Sequence, residues 1–338
     1  MSTPISDDPS TPISPLIQQA INRLPSDISD FSGVYMRQLR PALLRQEAEW
    51  QKAREEATRW TFIGTAVGVI GSALALMIAR VPQLAIVAAA LGFAILGAGR
   101  SNLRRFSRRA RSRLVELTAQ QFELSFAETP DPKPGIDGFI AQGLLSRSAS
   151  TRFSNLIKGE RRGMAFELFS LNVQDKSAVA PLAGRVRAGR ANVFDGICLR
   201  LHLGQSLRGR IKVSRQSDRV RGSQNDEGLQ RVNLTSDRFE EAFDVYATDG
   251  FEARDLLTDN VFQSLVVLEK TFRAWDLQGI FAGDALLIVM PGGNLFETSE
   301  TFTPLDYSDR ICDLLDDVSA LFKLIDSLAV PQASAEPS

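Results

Sequence analysis

Residues 60–79, WTFIGTAVGVIGSALALMIA, carry no charged side chain, and residues 81–99, VPQLAIVAAALGFAILGAG, carry none either; only Arg80 stands between them. At about 1.5 Å rise per helical residue each run reaches roughly 30 Å, the thickness of a bilayer hydrocarbon core. A core helix of a globular protein keeps one polar stripe, and neither run has one. The pattern therefore predicts a transmembrane helical hairpin, with spans at 60–79 and 81–99. Gly64 and Gly68 form a GxxxG pair, and Gly71, Ser72, Gly92 and Gly97 add small residues that allow two helices to approach closely.

The flanks set the expected orientation. Arg37, Arg40, Arg45, Lys52, Arg54 and Arg59 precede the first run, and Arg100, Arg104, Arg105, Arg108, Arg109, Arg111 and Arg113 follow the second. By the positive-inside rule both termini are expected in the cytoplasm, with the protein multi-pass in a bacterial inner membrane. Residues 1–40 read as a polar tail with no cleaved signal peptide, because the start MSTPISDDPSTPISP lacks a basic beginning and an apolar run. A juxtamembrane helix is expected over 41–59 and a basic stalk helix over 100–128. A Pro/Gly/Asp-rich linker follows at 129–138, then an α+β cytoplasmic domain over 139–329 and a tail over 330–338.

Charge is unevenly distributed. The 338 residues have a formal net charge of −1, yet residues 1–221 hold 32 basic and 18 acidic side chains whereas residues 222–338 hold 7 and 22. One His and two Cys exclude a Cys/His zinc cluster, a two-histidine haem site and a disulfide scaffold, so neither metal nor cofactor is expected. The neutral total argues against a dedicated nucleic-acid binder.

The expected cytoplasmic domain has a mixed or antiparallel sheet with flanking helices. Strands are predicted at 165–173, 192–203, 209–215, 229–234 and 239–248, where apolar residues alternate or β-formers dominate, and a hairpin at 277–282 and 285–290. Asp249 and Glu252 have capping-box spacing, so a short helix should start there. Thr258 can cap a second helix whose stripe is Val261, Leu265, Leu268, Phe272 and Trp275. The last helix, roughly 305–328, sets Ile311, Leu314, Leu315, Val318, Leu321, Phe322, Ile325 and Leu328 on one side and an aspartate row on the other. A solvated face explains that row better than a cation site, since aspartates on a regular helix converge poorly.

Residues 239–258, FEEAFDVYATDGFEARDLLT, resemble the most distinctive segment of the bacterial membrane-protein family known as domain-of-unknown-function 3137. The matching positions are Phe239, Phe243, Tyr246, Asp249, Glu252, Ala253, Arg254, Leu257 and Thr258. Val193-Phe194-Asp195-Gly196 and Leu295-Phe296-Glu297 fit the same family, whereas Asp259 stands where the family usually has Pro. The resemblance implies two membrane spans followed by a cytosolic domain. It implies no activity and no catalytic residue. Glu252 and Arg254 could act as a pair that binds an anion or does acid-base work, but the capping box favours a structural reading in which Glu252 caps a helix and Arg254 bridges an acidic neighbour, and the other matching residues are read as structural too.

Catalytic constellations are scarce. Cys198 and His202 share a strand face but lie about 13 Å apart at 3.3 Å per residue, too far for a thiol and its base. GQSLRG at 204–209 and GGN at 292–294 fit neither a phosphate loop nor a nucleophile elbow. The basic segment 180–221 remains, with Arg185, Arg187, Arg190, Arg208, Arg210, Lys212 and Arg215 as candidates to bind an anion, a lipid or a partner. It can dock on anionic head groups of the bilayer, pair with the acidic C-terminal part of its own domain, or receive an acidic protein partner or second copy. Nucleic acid is the weakest option, because no stacking aromatics lie between those arginines. The expected function is a membrane-anchored cytoplasmic binding or scaffolding module, not an enzyme. The alternative is a membrane-tethered enzyme using the basic segment on an acidic or lipidic substrate.

Overall fold

A computed structural model describes residues 15–25, 31–74, 77, 82–147, 150–175, 179–182, 185–188, 191–215, 228–234, 242–293, 295 and 307–329. They fall into two compact units, one helical within Asp30–Thr118 and one built on a sheet from Pro15–Ser29, Ala119–Glu297 and Asp309–Ser338.

In the helical unit, α2 (Phe31–Val34) runs through a π-helical stretch (Tyr35–Leu39) into α3 (Arg40–Leu74), and α4 begins at Pro82 and runs to Gln121. Pro82 opens α4, at the position where a missing N–H costs nothing. The two long helices run antiparallel and meet through glycines. A Cβ on Gly92 would lie 2.7 Å from the Gly64 carbonyl oxygen and 2.7 Å from Gly68 Cα, while a Cβ on Gly71 would lie 3.1 Å from that of Ala88.

These helices correct the expected transmembrane hairpin. Among the described residues no helix is long and apolar enough to cross a membrane. Within the described residues the uncharged part of α3 covers Trp60 to Leu74, and that of α4 covers Pro82 to Gly99 before arginines follow in the sequence. Residues 75–76 and 78–81, with Arg80, lie outside the described residues.

Among its described residues the other unit holds α1 (Pro15–Arg23), a nine-stranded antiparallel sheet, a separate strand pair and four further helices. The strands are β1 (Ser125–Ala127), β2 (Ser150–Arg161), β3 (Met164–Asp175), β6 (Ala191–His202), β7 (Arg210–Arg215), β8 (Gln230–Arg231), β9 (Phe243–Ala247), β10 (Gln278–Ala282) and β11 (Ala285–Pro291). Their order is β1-β2-β3-β6-β11-β10-β7-β9-β8. Between β3 and β6 in the chain, β4 (Val179–Leu182) and β5 (Arg185–Ala188) pair with each other as a separate two-stranded sheet, from Val179↔Ala188 to Leu182↔Arg185. The helices are α5 (Asp137–Ala141), α6 (Gly250–Leu256), α7 (Asp259–Thr271) and α8 (Tyr307–Ala329).

Period-two alternation sorts side chains onto two faces. Phe166 and Leu168 of β3, with Leu199 and Leu201 of β6, point to the face that Phe322 of α8 covers, its ring 6.4 Å from that of Phe166 and 6.0 Å from that of Phe122. On β9 the same alternation buries Phe243 against Phe262 of α7, centroids 6.0 Å apart. On the opposite face Phe169, Leu171, Val173, Cys198, Leu287 and Val289 form a cluster with Phe139 of α5. The Phe139 and Phe169 rings meet edge to face at 6.1 Å.

Candidate functional site

The basic segment is spread over four strands and a loop. Arg200 of β6 donates to Glu167 Oε2 at 3.0 Å and to the Gly135 carbonyl, while Lys158 holds the other Glu167 oxygen at 2.6 Å. Lys212 sits mid-sheet, buried, between Tyr246 of β9 and Ile280 of β10. Arg215 forms the most protected ion pair of the segment. Its Nε donates to both oxygens of Glu269, at 3.0 and 2.8 Å, and an Nη joins Glu269 as well. The guanidinium also stacks 4.8 Å from the Phe243 centroid. The hydrogen bond from Arg215 to Glu269 raises the arginine's pKa further, and Glu269 Oε1 additionally accepts from the Leu277 amide at 3.3 Å. Arg208 is exposed, Arg210 anchors its own amide on Thr248 Oγ1 at 2.8 Å, and Arg185 and Arg187 belong to β5. Arg190, Arg219 and Arg221 lie outside the described residues. Among the described residues these cations do not converge on one site.

The segment Phe243–Thr258 acts as a clasp. Asp249 caps α6 by accepting from the Phe251 and Glu252 amides. Glu252 does not return the favour of a capping box: its two oxygens accept the Arg208 and Gly209 amides at 2.9 and 2.8 Å, tying α6 to the loop between β6 and β7. Gly209 is required there, since a Cβ would lie 2.6 Å from Thr248 Oγ1 and 2.9 Å from Glu252 Oε2. Arg254 Nε donates to the Asn233 carbonyl at 3.1 Å, and not to an acidic neighbour. Thr258 caps α7 through the Val261 amide. Tyr246 faces Lys212 and Arg231 across the ladder. Phe239 lies outside the described residues. Phe243, Asp249, Glu252, Arg254 and Thr258 are thus each engaged in holding elements together, whereas Phe251 is exposed.

Four aspartates beyond position 222 pair with arginines: Asp244 with Arg231, Asp316 with Arg23, Asp326 with Arg161 and Arg162, and Asp313 with Arg273. Cys198 is fully buried, and burial pushes its thiol far up, against a smaller lowering by Arg200, so it stays protonated and is a poor nucleophile. His202 and Asp284 are both exposed and only 3.9 Å apart. Among the described residues no group of three or more His, Cys, Asp or Glu is placed to hold a metal.

Sequence reasoning missed a polar cleft of about 310 Å³. Thr129, Pro130 and Lys133 of the segment after β1 form one wall; Ser150, Thr151, Arg152 and Phe153 of β2, with Asn172 and Gln174 of β3, form the rest. None of these residues is acidic. Three segments far apart in the chain build it, so no local motif announces it.

Residues 192–330 match the family model described as "protein of unknown function (DUF3137)". No curated protein matches the chain significantly. Among solved structures, the crystal structure of a mycobacterial trehalose monomycolate transport factor A is similar at 11% identity and a TM-score of 0.35, over 66% of this chain and 97% of that one.

Proposed function

We propose that this protein is a binding module that docks on an anionic lipid surface through the α3–α4 pair and presents its sheet unit as a platform. The carrying observation is the outward apolar surface of the pair. Phe62, Val69, Ile70, Ile86, Val87, Leu91 and Phe93 are all exposed, far beyond the scattered apolar side chains that need no explanation. In the sequence that surface is bracketed by arginines, from Arg37 to Arg59 and from Arg100 to Arg113. Apolar side chains entering the acyl boundary beside cations on head groups is the chemistry of a lipid-bound amphipathic element, with about 1 kcal/mol per cation. A bacterial inner membrane, approached from the cytoplasm, suits that charge. The binding reading over an enzymatic one is supported by the sheet unit, where Glu252, Glu269 and Arg200 are each engaged in structural bonds.

Vesicle flotation tests the docking. The purified full chain should float with phosphatidylglycerol-containing vesicles, bind pure phosphatidylcholine less, and lose flotation in a Phe62→Asp/Phe93→Asp variant. Equal flotation of that variant, or none by the wild type, overturns the reading.

A further inference from the structure

We infer that the cleft between the segment after β1 and the ends of β2 and β3 binds a small phosphate-bearing polyol. The inference uses different residues from the docking surface and stands without it. Two cations, Lys133 and Arg152, line the cleft, both exposed to it and to solvent. Among the described residues neither makes an ion pair or hydrogen bond. That sets them apart from Arg161, Arg200 and Arg215, each held by a carboxylate. No lining residue is acidic, and Asp131 of the same segment is not part of the lining. Among the described residues the cleft therefore carries two positive charges and no lining carboxylate to neutralise them. An anion supplies what is missing, and a guanidinium offers a phosphate a two-pronged, planar set of donors.

The rest of the lining gives the ligand its second property. Ser150, Thr151, Asn172 and Thr129 contribute hydroxyl and amide groups that donate and accept, and Phe153 contributes one apolar wall. Such a lining suits hydroxyls next to a phosphate better than an acyl chain or an aromatic ring. A volume of about 310 Å³ lies at the small end of ligand pockets, which limits the occupant to a few carbons beyond the phosphate. Both a soluble sugar or glycerol phosphate and a glycerophosphate head group share this chemistry.

The probes are glycerol 3-phosphate, glycerol and phosphatidylglycerol vesicles, applied to the full chain by calorimetry and flotation. Glycerol 3-phosphate should bind at one site per chain, glycerol should not, and Arg152→Gln and Lys133→Gln should each weaken binding about tenfold or more. Arg208→Gln, an exposed arginine elsewhere, should leave it unchanged. Both cleft substitutions sit at exposed positions, so unchanged thermal unfolding verifies the fold. If the free ester binds in a cleft-dependent way the ligand is soluble; if it does not, but Arg152→Gln weakens flotation while the Phe62/Phe93 surface is intact, the head group is the ligand. Both outcomes uphold the cleft. Binding that ignores both cleft variants, or glycerol binding as well as its phosphate, overturns it.

Discussion

Phenylalanine plays opposite parts in the two units. In the sheet unit Phe139 and Phe169 are 0% exposed, whereas on α3 and α4 Phe62 and Phe93 are 78% and 77% exposed. The residue type is the same, and the backbone decides what it can do. A strand points alternate side chains to opposite faces, so apolar residues at every second position must find a covering layer, which α5 and α8 supply. A helix with apolar residues on all sides has only one flank covered by its antiparallel neighbour, and the glycines at that contact leave no room for large side chains to bury. The sheet unit is therefore held by its hydrophobic core, and the helix pair by backbone approach.

The sharpest way to break this contrast is to truncate one ring in each unit. Phe169→Ala should cost the sheet unit about 3–5 kcal/mol, the loss typical of a buried ring with its cavity. Phe62→Ala should leave urea unfolding within about 0.5 kcal/mol, as an exposed position does. Comparable losses at both positions would show that Phe62 is buried against something in the native protein.

The second test concerns charge. Glu269 is buried and accepts from both Arg215 and the Leu277 amide, so Glu269→Ala leaves a guanidinium and an amide without their acceptor. A loss of about 3 kcal/mol is expected, at the low end for a broken buried pair because Arg215 keeps 30% of its side chain exposed. Chemical denaturation reads it directly, and a loss below about 1 kcal/mol would make the pair a surface one.

Next in size is the helix pair itself. Gly92→Leu places a branched side chain where even a Cβ meets Gly64 and Gly68 backbone at 2.7 Å, so α3 and α4 must separate at a cost of about 1–3 kcal/mol. Cysteines introduced at Gly71 and Ala88, which face each other, should cross-link readily in the parent and slowly in the Gly92→Leu variant. Unchanged cross-linking would mean the glycines do not set the approach.

These sites also show what the sequence could and could not disclose. Strands β3, β6, β10 and β11 and the stripe of α8 were legible because periodicity is a local property: Ile311, Leu314, Leu315 and Val318 are all buried where the spacing put them. Trp275, read as the end of the α7 stripe, lies beyond the helix and is exposed, since α7 stops at Thr271. The uncharged runs pointed to membrane spans, whereas among the described residues no helix is long and apolar enough to cross a membrane. Asp249 and Thr258 were readable as caps, whose donors are two or three residues away. Glu252 was not, because its partners are the amides of Arg208 and Gly209, 44 and 43 positions earlier. The cleft hides for the same reason, its walls coming from three separate segments.

The smallest effect falls on the pairing that links the two halves of the charge distribution. Arg23 Nη1 lies 2.9 Å from Asp316 Oδ2, with 58% and 31% of the side chains exposed, so water competes for both groups and mobile ions screen them. Asp316→Asn keeps the shape and removes the charge, and the loss should stay under about 1 kcal/mol at low ionic strength and shrink further in 1 M salt. The Glu269 loss, by contrast, should barely respond to salt, because its carboxylate is 5% exposed. Measuring both variants in urea at two salt concentrations separates burial from charge. A salt-insensitive loss at Asp316 comparable to that at Glu269 would mean that this contact, which joins α1 to α8 together with the Ser319 hydroxyl donating to the Arg23 carbonyl at 2.8 Å, is shielded from solvent and belongs with the core.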